Sequence, residues 1–368
     1  MLSIENDLIS LRKKNLYRSL QPVEGIDFAS NDYLGFARSP ILRQRLISFL
    51  KEEEKIGSTG SRLISGNDEF IEDTERYIAD VFSSESALIF GSGYLANLGI
   101  ITSLGQEGNV VFSDERNHAS IIDGIRLSRS KLQIFNHNDL SSLYSLINKS
   151  PSKRKIIVTE SIFSMDGDCA PLKELVDIAK KFDAYLVVDE AHATGTTGPS
   201  SLGLMSEFKY EKLIAIHTCG KALGGYGAFV CCSQELKEYF INKARTFMFT
   251  TALPSVLIAH IRFALEELRG DPSHYLSLLR NVNSFKNQFN KYGLPFSGSH
   301  IVPFLVGENE NAVGLAKQLE SQGYFVKAIR FPSVPNGTAR LRITIKATHN
   351  EEQIHALCLA LKEFPRCM

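Results

Sequence analysis

Short apolar runs rich in β-branched residues recur along the chain with helix-like segments between them, and this alternation constrains the fold more than any other feature. The runs are Ala87–Phe90, Asn109–Phe112, Leu132–Phe135, Lys155–Thr159, Ala184–Asp189, Leu213–His217 and Ala228–Cys232. Most lack a polar residue at every second position, so they read as strands buried on both faces, as in a largely parallel sheet covered by helices. Helical patterns lie between them at Tyr94–Leu104, Ile121–Arg129 and Leu172–Phe182. Strand and helix in turn predict an α/β layer architecture with seven strands. The connection from Leu213–His217 to Ala228–Cys232 is too short for a helical crossover, which predicts one antiparallel strand.

The texture changes after Pro254. Long helical stretches, Val256–Arg269 and Ser273–Tyr292, lead into strand-like His300–Val306, a helix near Ala312–Gln322, then Phe325–Ile329 and Leu341–Ile345, and a closing helix Glu351–Phe364. Three parts are expected: an N-terminal helix and arm over residues 1–45, a large α/β domain over 46–269, and a smaller C-terminal α+β domain over 270–368. The 368-residue length suits a large enzyme core with an appendage.

Composition narrows the function. Forty-one basic residues balance 41 acidic ones, which removes the electrostatic footprint of a general nucleic-acid binder. No run of 18 apolar residues occurs, so no membrane span is expected. The opening MLSIENDLIS carries acidic residues where an export signal needs a basic and then an apolar stretch. Six cysteines without a Cys-x-x-Cys pair support neither a zinc site nor a disulfide framework; free thiols in a reducing cytoplasm are expected.

Two readings compete at the turn GSGYLAN (Gly91–Asn97), where small residues separate a strand from a helix. Such a turn lets backbone N–H groups approach an anion. As G-x-G-x-x-A it also fits a dinucleotide fingerprint, with Asp114 placed to hold a ribose, so a nicotinamide dehydrogenase is a rival. Downstream residues separate the two. Asp189 ends one buried run and His192 follows it; Thr218 ends the next and Lys221 follows that. Ligands collect at the carboxyl ends of parallel strands, so all of these could meet along one edge. Taken alone, Lys221 reads as a surface cation, Asp189 as a helix cap and His192 as a structural histidine. Together they suit pyridoxal phosphate: a lysine for the Schiff base, an acid for the pyridinium nitrogen, and helix-end N–H groups with a hydroxyl for the phosphate. A buried Asp189 needs a cationic partner, which a protonated pyridine supplies.

These residues lie in longer motifs: FASNDYLGF, GSTGSRLISGN, FGSGYLAN, NHASIIDGIRLS, TESIFSMDGDCAPLKEL, VVDEAHATG, HTCGKALGGYGAF, FTTALP and VKAIRFPSVPNGTARLRITI. Over nearly the whole chain beyond residue 28, the sequence resembles the α-oxoamine synthases, pyridoxal-phosphate enzymes of fold type I (aspartate-aminotransferase-like). Within the family it looks like the branch serving biotin biosynthesis. That branch condenses L-alanine with a pimeloyl thioester, carried on CoA or an acyl-carrier protein, to give 8-amino-7-oxononanoate and CO2. A close relative within the family joins glycine to acetyl-CoA.

The resemblance implies roles residue by residue. Lys221 carries the cofactor, Asp189 pairs with its ring nitrogen, and His192 and Ser164 reach its phenolic oxygen. His118 stacks on the ring and helps orient substrate. Gly93, Tyr94 and Thr218 bind the phosphate, while Thr250 and Thr251 reach the phosphate of the other subunit in a homodimer. Arg342 grips the amino-acid carboxylate, with Asn31 nearby; Arg18 and Ser333 face substrate. In this sequence the stretch between Arg18 and Phe28 is short for the family, and Ser333 stands where many members have threonine.

Overall fold

Seven runs of five or six residues pair into one sheet, and in six of them the side chains find apolar cover on both faces. In the computed structural model, which describes residues 3–364, the chain divides into two units. One comprises residues 34–163 and 169–275; the other comprises 1–33, 164–168 and 276–368.

The larger unit holds strands β2 (Ser86–Phe90), β3 (Val110–Asp114), β4 (Lys131–Phe135), β5 (Lys155–Glu160), β6 (Tyr185–Asp189), β7 (Leu213–Thr218) and β8 (Ala228–Cys232), numbered in chain order after β1 (Ile26–Asp27) of the other unit. Their spatial order is β2-β8-β7-β6-β5-β3-β4. Neighbours from β7 to β4 are parallel, and β8 runs antiparallel to both β7 and β2, as the short connection predicts. Every residue of β2, β3 and β8 is buried, which explains their unbroken apolar runs. The edge strand β4 departs from that pattern: Leu132 and Ile134 are exposed, because the sheet ends there. The helix Gly93–Leu104 covers one face, burying Ala96, Ile100 and Ile101 against Val111, Val187 and Val230. Ser92 starts this helix, its hydroxyl accepting the Leu95 N–H at 3.2 Å.

In the smaller unit β1 pairs in parallel with β10 (Tyr324–Phe325), while β9 (Ile301–Gly307), β11 (Lys327–Ile329) and β12 (Ala339–Thr344) form an antiparallel sheet in the order β11-β12-β9. The expected strand Phe325–Ile329 is thus two strands that join different sheets. The helix Glu351–Lys362 starts in a full capping box between Asn350 and Gln353 and packs Ile354, Leu357 and Leu361 into a core with Phe285, Phe289 and Val302. The division differs from the one read off the sequence. Among the described residues, 3–33 group with the C-terminal segment, where Ile26 and Asp27 pair with Tyr324 and Phe325. Ser164–Asp168 also joins this unit, where Asp166 pairs with Arg340.

No helix among the described residues is long and apolar enough to cross a membrane. The described cysteines, Cys169, Cys219, Cys231, Cys232 and Cys358, are all free.

Candidate active site

Parallel strands deliver their carboxyl ends to one edge of the larger unit, and the residues singled out from sequence follow those ends. Asp189 closes β6 and is buried. Its carboxylate accepts hydrogen bonds from the Asn97 side-chain amide at 2.7 Å and from the Ala191 N–H at 2.9 Å. Both donors are neutral. A buried carboxylate held by neutral donors is the environment that accepts a cation.

Thr218 closes the adjacent strand β7, and the turn after it carries Lys221. Lys221 Nζ lies 3.0 Å from Nε2 of the buried His192. Gly195 explains how two loops come so close. Its φ of +81° is left-handed, and a Cβ there would stand 2.7 Å from that of Ala222. Only glycine lets the turn carrying His192 press onto the residue that follows Lys221.

Gly93 opens the helix after β2, and a Cβ built on it would come within 3.4 Å of the Thr218 hydroxyl. The missing side chain leaves a cradle between a threonine hydroxyl and the first N–H groups of a twelve-residue helix, a place suited to a phosphate. Tyr94 is next in the helix; its hydroxyl, on the exposed side, bonds to Asp123. His118 caps the following helix, its Nδ1 accepting the Ser120 N–H at 3.2 Å, and burial pushes its pKa down from the usual imidazole value. Thr250 and Thr251 line a small cleft beside Gly91 and Phe247.

The dehydrogenase reading fails at Asp114. Its carboxylate is taken up by His137 Nδ1 and by the backbone N–H groups of Asn138 and Arg116, each at 2.9 Å. It ties the end of β3 to its neighbouring loops and has no role left for a ribose.

The smaller unit organises a different set. Arg342 on β12 is buried. Its guanidinium donates to the Ser164 carbonyl at 2.6 Å, the Thr344 hydroxyl at 3.1 Å and Asn31 Oδ1 at 3.0 Å. Tyr33 stands at 3.5 Å, its phenol pushed up to about 12 by burial, against the pull of Arg342. Each of these acceptors is neutral, so the guanidinium keeps its full charge for an incoming carboxylate. Arg18 and Ser333 touch each other: Arg18 Nη2 donates to Ser333 Oγ at 3.3 Å on an exposed surface. Sequence reasoning missed Asn97 and Ser120, which connect Asp189 to His118. The available signal was spacing: Asn97 falls four residues after Gly93, on the same helix face.

Fold and lysine site together define a pyridoxal-phosphate enzyme of fold type I. The aminotransferase class I and II family model matches residues 23–361. The 8-amino-7-oxononanoate synthase of Geobacter sulfurreducens is 41% identical over 379 residues, covering 98% of this chain and 97% of the relative. That of Geotalea daltonii is 39% identical, covering 100% and 98%. Among solved structures, a serine palmitoyltransferase variant from S. paucimobilis with a bound PLP–myriocin aldimine superposes with TM-score 0.90 at 28% identity, covering 98% of this chain and 97% of that one. The 8-amino-7-oxononanoate synthase of Francisella tularensis gives TM-score 0.79 at 28% identity, covering 92% and 97%. The chain belongs to the aminotransferase class I and II family and, within it, to the α-oxoamine synthases of the 8-amino-7-oxononanoate synthase branch.

Pyridoxal 5'-phosphate is the cofactor of this family, and the residues present fit it. Lys221 would supply the amine, Asp189 a buried carboxylate held by two neutral donors, and Gly93 with Thr218 the phosphate cradle.

Proposed function

We propose that the protein catalyses the decarboxylative condensation of L-alanine with a pimeloyl thioester, giving 8-amino-7-oxononanoate, CO2 and the free thiol carrier, as a step of biotin biosynthesis. The observation that carries this reading is the buried Asp189 carboxylate, with Lys221 and His192 3.0 Å apart in the turns that follow β6 and β7. Near-complete coverage by relatives bearing the synthase name supports the choice of substrates.

Pyridoxal phosphate, when bound, supplies an electron sink for a carbanion at the alanine α-carbon. Lys221 would hold the cofactor through its amine, and the same amine would take the α-proton of bound alanine. Asp189 would pair with the cofactor's ring nitrogen, with Asn97 and the Ala191 N–H orienting its carboxylate. His192 would orient the Lys221 amine, and His192 and Ser164 would hold the cofactor's phenolic oxygen. Gly93, Tyr94 and Thr218 bind the phosphate, joined by Thr250 and Thr251 of the second subunit of a homodimer. Arg342 binds the alanine carboxylate, Asn31 bracing its guanidinium. Loss of that carboxylate as CO2 follows attack on the thioester carbonyl, whose developing oxyanion His118 stabilises. Arg18 and Ser333 contact the acyl substrate. The enzyme works in the cytoplasm, where its free thiols stay reduced.

The test is CO2 release from carboxyl-labelled L-alanine with a series of acyl thioesters. Release with the pimeloyl thioester and not with acetyl-CoA supports the reading. Preference for glycine and acetyl-CoA assigns the chain to the acetyltransferase branch instead.

A further inference from the structure

Two buried side chains, Asn97 and Ser120, connect Asp189 to His118, and their donor order is fixed by chemistry. Asn97 Nδ2 lies 2.7 Å from Asp189 Oδ2 and 3.1 Å from Ser120 Oγ. Ser120 Oγ in turn lies 2.8 Å from His118 Nδ1. Asn97 and Ser120 are each only 1% exposed, so water does not compete for the bonds from Asn97 to Asp189 and to Ser120.

An ionised carboxylate only accepts hydrogen bonds, so Asp189 forces Asn97 to turn its amino group inward. The opposite amide orientation would set Oδ1 against the Asp189 oxygens. The present one holds at a visible cost: Asn97 Oδ1 is buried without a hydrogen-bond partner. With one N–H on Asp189, the other goes to Ser120 Oγ, which acts there as an acceptor. The serine's own proton is thereby left for His118 Nδ1. That nitrogen also accepts the Ser120 backbone N–H at 3.2 Å. A ring nitrogen that accepts two hydrogen bonds cannot carry a proton, so in the neutral imidazole the proton sits on Nε2.

We infer that Asn97 and Ser120 are positioning residues that hold His118 as its Nε2–H tautomer, so that the imidazole offers substrate a hydrogen-bond donor. The polarity originates at Asp189: the carboxylate reserved for the ring nitrogen also sets, through two intervening side chains, which imidazole nitrogen is protonated. His118 therefore enters the reaction as a donor to a carbonyl or oxyanion and not as a base through Nε2. Only the identity of the group that meets Nε2–H rests on the proposed function; the tautomer itself does not.

Selective 15N-histidine labelling of the holoenzyme and of the cofactor-free protein, with His118→Gln for assignment, reads both ring nitrogens directly by NMR. The expected result is a protonated Nε2 and an unprotonated Nδ1 in both forms at neutral pH. A protonated Nδ1, or an even mixture of tautomers, overturns the inference. Ser120→Ala removes the hydroxyl and keeps the backbone donor, so the Nδ1–H population should rise about fivefold, the equivalent of one neutral hydrogen bond. In the same variant kcat should fall while KM for alanine holds. An unchanged tautomer ratio would remove Ser120 from the role. Failure of the wild-type protein to bind pyridoxal phosphate would overturn the functional reading and leave the tautomer result standing.

Discussion

Lys221 Nζ and His192 Nε2 stand 3.0 Å apart, each on the turn that follows a neighbouring parallel strand. The pair is a consequence of topology before it is a matter of catalysis. β6 and β7 run side by side, and Gly195 removes the side chain that would hold their following turns apart. The hydrogen bond between the two nitrogens restricts where the Lys221 amine can swing.

Replacing Lys221 with alanine removes the amine and keeps the strand-end geometry. Turnover should fall at least ~10³-fold, the scale of a lost general base and nucleophile together. The yellow absorbance of the lysine-bound cofactor should vanish from the spectrum of the purified variant. Normal turnover would contradict the role.

The charge of Asp189 should matter more than its shape. Asp189→Asn is nearly isosteric but replaces an acceptor-only group beside the Asn97 amide and removes the anion that retains the ring proton. A turnover loss of about 10²-fold or more is expected, on the scale of a buried charged hydrogen bond. Far-ultraviolet circular dichroism should stay as in wild type, and full activity in the variant would exclude an ionic partner for the ring.

Arg342 presents a buried guanidinium whose acceptors are all neutral. Arg342→Ala should raise KM for alanine about tenfold to a hundredfold, the worth of a charge-assisted pair, and leave KM for the pimeloyl thioester within about twofold. Equal losses for both substrates would argue against carboxylate binding. Arg342→Lys should recover little, because a point charge cannot reproduce the two-pronged contact.

Acid should destabilise the fold through histidines buried in neutral form. Burial pushes His349 down to about 4 and His217 down to about 3. The unfolded chain, with imidazoles near 6.5, therefore binds more protons between pH 6.5 and those values, and stability falls as pH drops through that window. The His349 contribution is roughly 3 kcal/mol. Denaturant unfolding followed from pH 7.5 to 4.5 should show this decline. In His349→Gln the slope should be smaller, and an unaltered slope would mean that His349 does not titrate differently in the two states.

Much of the larger unit was readable from residues alone because its strands are buried on both faces. Such runs carry no competing polar pattern, and each predicted strand lies within two residues of the observed one at both ends. The placement of Lys221, Asp189, His192, Thr218 and Gly93 at or just beyond the carboxyl ends of β2, β6 and β7 was legible for a related reason, since those ends follow from the strand pattern. Other features depended on pairings distant in sequence. Nothing local in Ile26–Asp27 announces that it pairs with Tyr324–Phe325, and nothing in Ser164–Asp168 announces the Asp166–Arg340 ion pair that anchors it. Asn97 and Ser120 were hidden because a polar residue within a helix carries no mark of its partner; their roles emerge only with Asp189 and His118 beside them.

The account turns on one covalent linkage, and peptide mapping tests it most directly. The purified protein is loaded with pyridoxal phosphate, reduced with borohydride, digested and analysed by mass spectrometry. The prediction is one phosphopyridoxyl group per chain, on the peptide containing Lys221 and absent from Lys221→Ala. A label on another lysine, or none at stoichiometric level, would contradict it.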